Sequence, residues 1–172
     1  MNRRHILSLS VIMALGFAVL PGSALAQQKS LKDQLVGAWT LVSSEITPAS
    51  GPKQQGFAGA NPKGILIIDA GGRYASVTGS PDRAKFKATS NLRSAATPEE
   101  WAAAGRGFGA NFGTWSVDEA SKTLTRKYEI ALVPNNDTQE TKATVSLVGD
   151  NLTLAITPAA GGKNESVYRR AK

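Results

Sequence analysis

The chain has 172 residues, with 20 lysines and arginines against 13 aspartates and glutamates, no cysteine and one histidine. Without cysteine there is no disulfide, no thiolate nucleophile and no thiolate metal site. The single imidazole, His5, lies in an N-terminal segment that reads as removable, so a Ser-His-Asp triad, a histidine zinc site and a histidine base are excluded from the remainder.

That segment is residues 1–26. Arg3 and Arg4 precede an apolar run from Ile6 to Leu20, Pro21-Gly22 interrupts it, and Ala24-Leu25-Ala26 puts small residues at both positions a leader peptidase reads. The run is about 15 residues long, where a bilayer span takes roughly 20. The pattern predicts a signal peptide cut after Ala26 and one domain over 27–172, with no stable membrane insertion after cleavage. Removal of Arg3 and Arg4 lowers the net charge of +7 by two and leaves a modest basic excess. The aromatic interleaving of single-strand nucleic-acid binders is missing, so no nucleic-acid partner is predicted. A disulfide-free exported domain fits the bacterial periplasm, or secretion from a bacterium, better than a eukaryotic exterior.

In chain order, Ser30 to Gln34 suits one helical turn. Val36 to Ile46 alternates and is rich in Trp, Thr, Val and Ile, as a strand is. Pro48 to Lys63 is a loop full of Gly and Pro. Gly64 to Asp69 and Arg73 to Thr78, joined through Gly71-Gly72, read as a hairpin. Gly79 to Ala96 is small, polar and basic, and predicts an irregular crossing segment. Thr97-Pro98-Glu99-Glu100 starts a short helix: a hydroxyl cap, Pro in the first turn and acids at the positive helix end. Gly105 and Gly107 stop it. Further strands follow at Phe112 to Val117, Thr123 to Val133, Glu140 to Val148, Asn151 to Thr157 and Ser166 to Arg170. Eight strands and one short helix predict an all-β fold, an eight-stranded antiparallel up-and-down barrel.

Gly37-Ala38-Trp39 on the first strand, with Arg169-Arg170 closing the last, resembles the Gly-x-Trp signature of lipocalin-type barrels, or calycins. The segments "LVGAWTLVSSE", "NPKGILIIDAGGRYA" and "FGTWSVDEASKTLT" are similar to the bacterial lipocalin-like domain family, from about Leu35 to Arg170. The resemblance implies a barrel around a cavity that takes small hydrophobic or amphipathic molecules, with no shared catalytic residue. It also implies that Trp39 closes the narrow end with an arginine across it. Arg170 shares a face with Tyr168 and is the expected partner, with Arg169 the alternative.

If Trp39 points inward, a period of two sends Leu41, Ser43 and Glu45 inward as well. On the long strand, Leu124, Tyr128, Ile130 and Leu132 form one apolar face, and Arg126 falls in that series. A charge in an apolar face snorkels to solvent or finds a buried partner. The sharper expectation pairs Glu45 with Arg126 inside the lumen, where Tyr74, Tyr128 and Trp115 add to the ligand wall. Arg83, Lys85, Lys87 and Arg93 make a basic insertion, which is either a solvated loop or an entrance attracting anions. Phe86, Trp101, Phe108 and Phe112 could pack it across the mouth as a lid. The leading expectation is a binding protein with no metal and no cofactor. The alternatives are an isomerase or cyclase with Glu45 as base and Tyr74 or Tyr128 as acid, and a protein-interaction or inhibitor module.

Overall fold

The computed structural model describes residues 29–172. The predicted cleavage site after Ala26 lies outside the described residues. Strand β1 (Gly37–Thr47) is followed by β2 (Gln54–Gln55), β3 (Lys63–Ile68), β4 (Arg73–Gly79), β5 (Phe108–Asp118), β6 (Thr123–Ala131), β7 (Glu140–Val148), β8 (Asn151–Ile156) and β9 (Lys163–Arg170). β1 pairs antiparallel with β3, β3 to β9 pair antiparallel in succession, and β9 returns to β1, so the sheet closes into an eight-stranded barrel. The two-residue β2 is an extra strand, pairing with the end of β1 at Glu45 and Ile46.

Among the described residues, three short α-helices accompany the barrel, not one. The turn expected near Ser30 is α1 (Leu31–Leu35), capped by the Ser30 hydroxyl. The insertion expected to be irregular contains α2 (Leu92–Ala95). The predicted helix is α3 (Pro98–Arg106). Thr97 Oγ1 accepts from the Glu100 amide at 3.2 Å, and the Glu100 carboxylate accepts from the amides of Thr97 and Lys87, both at 2.9 Å. Those bonds, Thr97 first, hold the Glu100 carboxyl below the usual range. Glu100 therefore fastens the insertion to the helix start.

Two bulges govern which side chains face the lumen. Along β1, Leu41 pairs with Tyr168 but Ser43 pairs with Val167, so Val42 is an extra residue. Along β6, Tyr128 pairs with Gly113 and Ile130 with Phe112, so Glu129 is an extra residue. Each extra residue reverses the in–out alternation beyond it. A Cβ on Gly113 would stand 2.0 Å from the Lys127 carbonyl, so the strand facing the second bulge requires glycine there.

The apolar core fills one end of the barrel. Trp39, Leu66, Ile68, Leu124, Leu152 and Leu35 are fully buried, and Trp115, Val145 and Leu154 pack with them. The outside is uneven. On β3 to β6 two apolar rows cross the strands in register: Ile65, Val77, Ala110 and Leu132, then Ile67, Ala75, Phe112 and Ile130. The outer face of β7 to β9 carries Lys142, Thr144, Ser146, Thr153 and Arg169 instead.

Candidate ligand site in the barrel

The closed end is built around Trp39. Its indole N–H donates to the Leu35 carbonyl at 2.8 Å, which draws α1 across the barrel end. Arg170, the register partner of Trp39, lies with its guanidinium 4.1 Å above the ring centroid. That guanidinium donates to the carbonyls of Val36 at 3.1 Å and Gln34 at 2.7 Å, and Asp150 lies 3.8 Å from it. Arg169 pairs with Thr40 and faces outward. Gly37 has φ +135°, and a Cβ there would press on Arg170 Nη1 at 3.1 Å. The Gly of the Gly-x-Trp triplet thus makes room for the arginine that stacks on its Trp. Trp115, expected on the ligand wall, belongs instead to the same structural half: it is buried in the core, donates to the Asp69 carbonyl at 2.9 Å and does not line the cavity above.

Above this plug is a cavity of about 170 Å³. Leu41, Arg126 and Tyr168 line its lower part. Ser44, Ser76, Thr78 and Ser166 give it hydroxyls, and Asn111 an amide. Arg126 is 8% exposed. The ion pairs among the described residues are Lys53–Glu45, Arg73–Glu129, Lys163–Glu165 and Arg170–Asp150, so Arg126 has no carboxylate. Its guanidinium lies 5.6 Å from the Tyr74 ring centroid, and the Tyr74 and Tyr128 rings are 6.5 Å apart.

Among the described residues, four buried side-chain polar atoms lack a hydrogen-bond partner: Arg126 Nε, Tyr74 Oη, Asn111 Oδ1 and Thr141 Oγ1. They come from four consecutive strands, β6, β4, β5 and β7, and Thr141 is the register partner of Arg126. Natives leave few such atoms, and each one costs about 1–3 kcal/mol, more when charged. Burial pushes the Tyr74 hydroxyl far above its ordinary range, with the Arg126 charge opposing it. Tyr168 is raised by burial too. Both phenols therefore remain neutral donors. Of the four residues, Arg126 and Asn111 line the cavity; Tyr74 and Thr141 do not, nor does Tyr128, so the two tyrosines expected on the ligand wall lie outside its lining. A larger hollow of about 540 Å³ between α1 and the end of β7 is lined by none of them.

The bulges correct two expectations. Alternation holds from Trp39 to Leu41 and then reverses at Val42, so Ser44 faces the cavity while Ser43 and Glu45 turn outward. Glu45 pairs with Lys53 on the outside and never meets Arg126. Likewise Ile130 and Leu132 leave the apolar face shared by Leu124, Arg126 and Tyr128; beyond Glu129 both are exposed on the outer wall, Ile130 to 57%. Glu129 itself binds Arg73, which holds its carboxyl below the usual range.

The mouth also differs from expectation. Phe112 is on the outer wall, Phe86 stacks on Trp101 at 4.9 Å, and the Arg83 guanidinium covers the Phe108 ring at 4.9 Å. The aromatic at the cavity entrance is Phe57, from the Pro48 to Lys63 loop. Gly56 places it: the Gly56 amide donates to the Ser44 carbonyl at 2.8 Å, and a Cβ on Gly56 would stand 2.6 Å from Ser44 Oγ. The signal in the sequence was an aromatic between Gly56 and Gly59, within a loop otherwise made of turn formers.

The sequence model of the family described as "Lipocalin-like domain" matches residues 36–170. No curated protein matches the chain. Solved structures with a related outline include a redesigned beta barrel at 11% identity, covering 84% of this chain and 100% of that one with a TM-score of 0.41. Secretory abundant heat soluble protein 4 from Ramazzottius varieornatus is similar at 17% identity, 84% and 99% coverage and a TM-score of 0.41. A mutant of the fluorescent protein UnaG follows at 13% identity, 81% and 97% coverage and a TM-score of 0.35.

Proposed function

The chain belongs to the lipocalin-like domain family, and on that premise we propose that it binds a small amphipathic molecule in the barrel, anionic head first, outside the cytoplasm. The observation that carries the reading is Arg126, a buried cation with no carboxylate partner among the described residues, in a cavity that it shares with four hydroxyl side chains and Leu41. An uncompensated buried charge costs several kcal/mol, and an anion that enters the cavity removes that cost. The guanidinium fixes the head, the Ser44, Ser76, Thr78 and Ser166 hydroxyls of the same cavity supply O–H donors, and Leu41 and Phe57 offer apolar contact to the rest of the molecule. An isomerase or cyclase mechanism using Glu45 as base has lost its base, because Glu45 faces outward.

The test is displacement of 1-anilinonaphthalene-8-sulfonate by small carboxylates, read by fluorescence. Binding should be saturable in the wild type and reduced at least about tenfold in Arg126→Met, the order expected for losing one charge-assisted contact. Equal affinity in both proteins would sink the reading. Native mass spectrometry of protein purified from its own cell envelope would identify the occupant.

Export rests on residues 1–26. A chain starting at Gln27 retains Ser30, the cap of α1, and every strand. N-terminal sequencing of the secreted fraction should begin at Gln27, and an intact Met1 in the membrane fraction would contradict it.

A second reading, a protein-interaction module, draws on the two apolar rows outside β3 to β6. Contiguous apolar surface of a few hundred Å² marks interaction sites on soluble proteins. Light scattering of wild type against a Phe112→Lys, Ile130→Lys double variant tests it: concentration-dependent association lost in the variant supports it, and a monomer in both cases removes it.

A further inference from the structure

We propose that the ligand is a monocarboxylate whose apolar arm leaves the Arg126 cavity past Phe57 and lies in a side groove between the start of β5 and the end of β6. This rests on the binding reading above and adds the shape of the ligand to it.

The barrel wall is incomplete at that place. β5 begins at Phe108, whereas its partner β6 stops at Ala131, opposite Asn111. One more bond, from the Leu132 amide to the Ala110 carbonyl at 2.8 Å, prolongs the contact before the chain turns at Pro134–Asn136. The gap is a groove of about 370 Å³ bounded by Phe108, Leu132 and Val133 and by the end of α3 at Gly105 and Arg106. Phe57, Gly109 and Asn111 line both the groove and the Arg126 cavity, so the two spaces share a threshold.

The threshold is open because residue 109 is glycine. It faces inward between Ala110 and Phe108, and a Cβ there would stand 2.9 Å from Phe57 Cζ. Any larger residue would displace Phe57 or fill the passage. The combined space runs from a polar chamber with one positive charge to an apolar trough open to solvent.

The head is deduced from the chamber. One guanidinium and no second cation balance one negative charge, not two. A planar carboxylate matches the planar guanidinium in a two-point contact. Its remaining lone pairs accept from the Ser44, Ser76, Thr78 and Ser166 hydroxyls that line the chamber. At about 170 Å³ the chamber has room for the head and a few carbons, so any longer apolar part must cross the threshold.

The experiment titrates the protein with butyrate and with dodecanoate, by calorimetry. Dodecanoate should bind at least about tenfold tighter than butyrate, because each further methylene placed against the trough adds to the affinity. That ratio should collapse in Leu132→Asn and in Gly109→Leu. Leu132 lies on the outer wall, so its variant remains informative if Gly109→Leu fails to fold. A ratio near one in the wild type, or a ratio that both variants leave intact, overturns the proposal while the Arg126 reading stands, provided Arg126→Met weakens both acids. If Arg126→Met binds both acids as well as wild type does, the binding reading itself fails and takes this proposal with it.

Discussion

Two arginines sit in one barrel, each over an aromatic ring, and their surroundings are opposite. Arg170 stacks at 4.1 Å on Trp39, gives its protons to two backbone carbonyls and has Asp150 nearby. Arg126 lies 5.6 Å from Tyr74 with an orphaned Nε and no carboxylate. The first is finished by the fold: its donors satisfy carbonyls that the end of α1 would otherwise leave open. The second is unfinished by the fold. The difference separates a cation whose partners the fold supplies from one that the fold leaves without a partner.

Breaking the closed end should have the largest effect. Trp39→Ala is expected to destabilise by about 3–5 kcal/mol, the range for truncating a large buried aromatic, measured by urea unfolding. An unchanged midpoint would show that the closed end is not the anchor of the barrel. Arg170→Met removes two charge-assisted bonds and the stacking, and should cost about 2–3 kcal/mol in the same assay. Arg126→Met sharpens the contrast most directly. Replacing an uncompensated buried cation by an apolar side chain of similar length should leave stability unchanged or raise it by about 1 kcal/mol in ligand-free protein. Equal losses at positions 126 and 170 would erase the distinction between the two arginines. The smallest effect belongs to Tyr74→Phe: it deletes an orphaned hydroxyl, so the unfolding midpoint should move by less than about 0.5 kcal/mol.

The closed end was legible from the residues alone. Trp39 and Leu41 precede the first bulge, and β9 pairs with β8 without a register shift, so a two-residue period places Tyr168 and Arg170 on one face. The inward direction of Tyr74, Trp115, Arg126 and Tyr128 was legible for the same reason, since none lies beyond a bulge on its own strand, but a period of two gives direction and not depth, and of the four only Arg126 lines the cavity. Ser43, Glu45, Ile130 and Leu132 were misplaced together. The residues that shift the phase, Val42 and Glu129, are ordinary strand residues that carry no local mark. The mark that exists is across the ladder, at Gly113, where no Cβ fits against the Lys127 carbonyl. Phe57 was missed because its position depends on Gly56 lying against Ser44, a contact between a loop and a strand that no period encodes. The eight main strands followed from alternation and turn residues; β2 and α2, with two and four residues, are too short to carry a period.

The bulges also determine how this gene can change length. At Val42 the ladder skips one residue, so deleting Val42 joins Leu41 directly to Ser43 and leaves every later side chain on its present side. Deleting Glu129 does the same on β6, at the loss of the Arg73 pair. A single deletion within β4 or β8, whose ladders run without a register shift, would instead turn half of that strand inside out, bringing polar residues into the core and apolar ones to the surface. Among natural variants of this chain, one-codon deletions should therefore be tolerated at two points on the wall and purged along the strands between them.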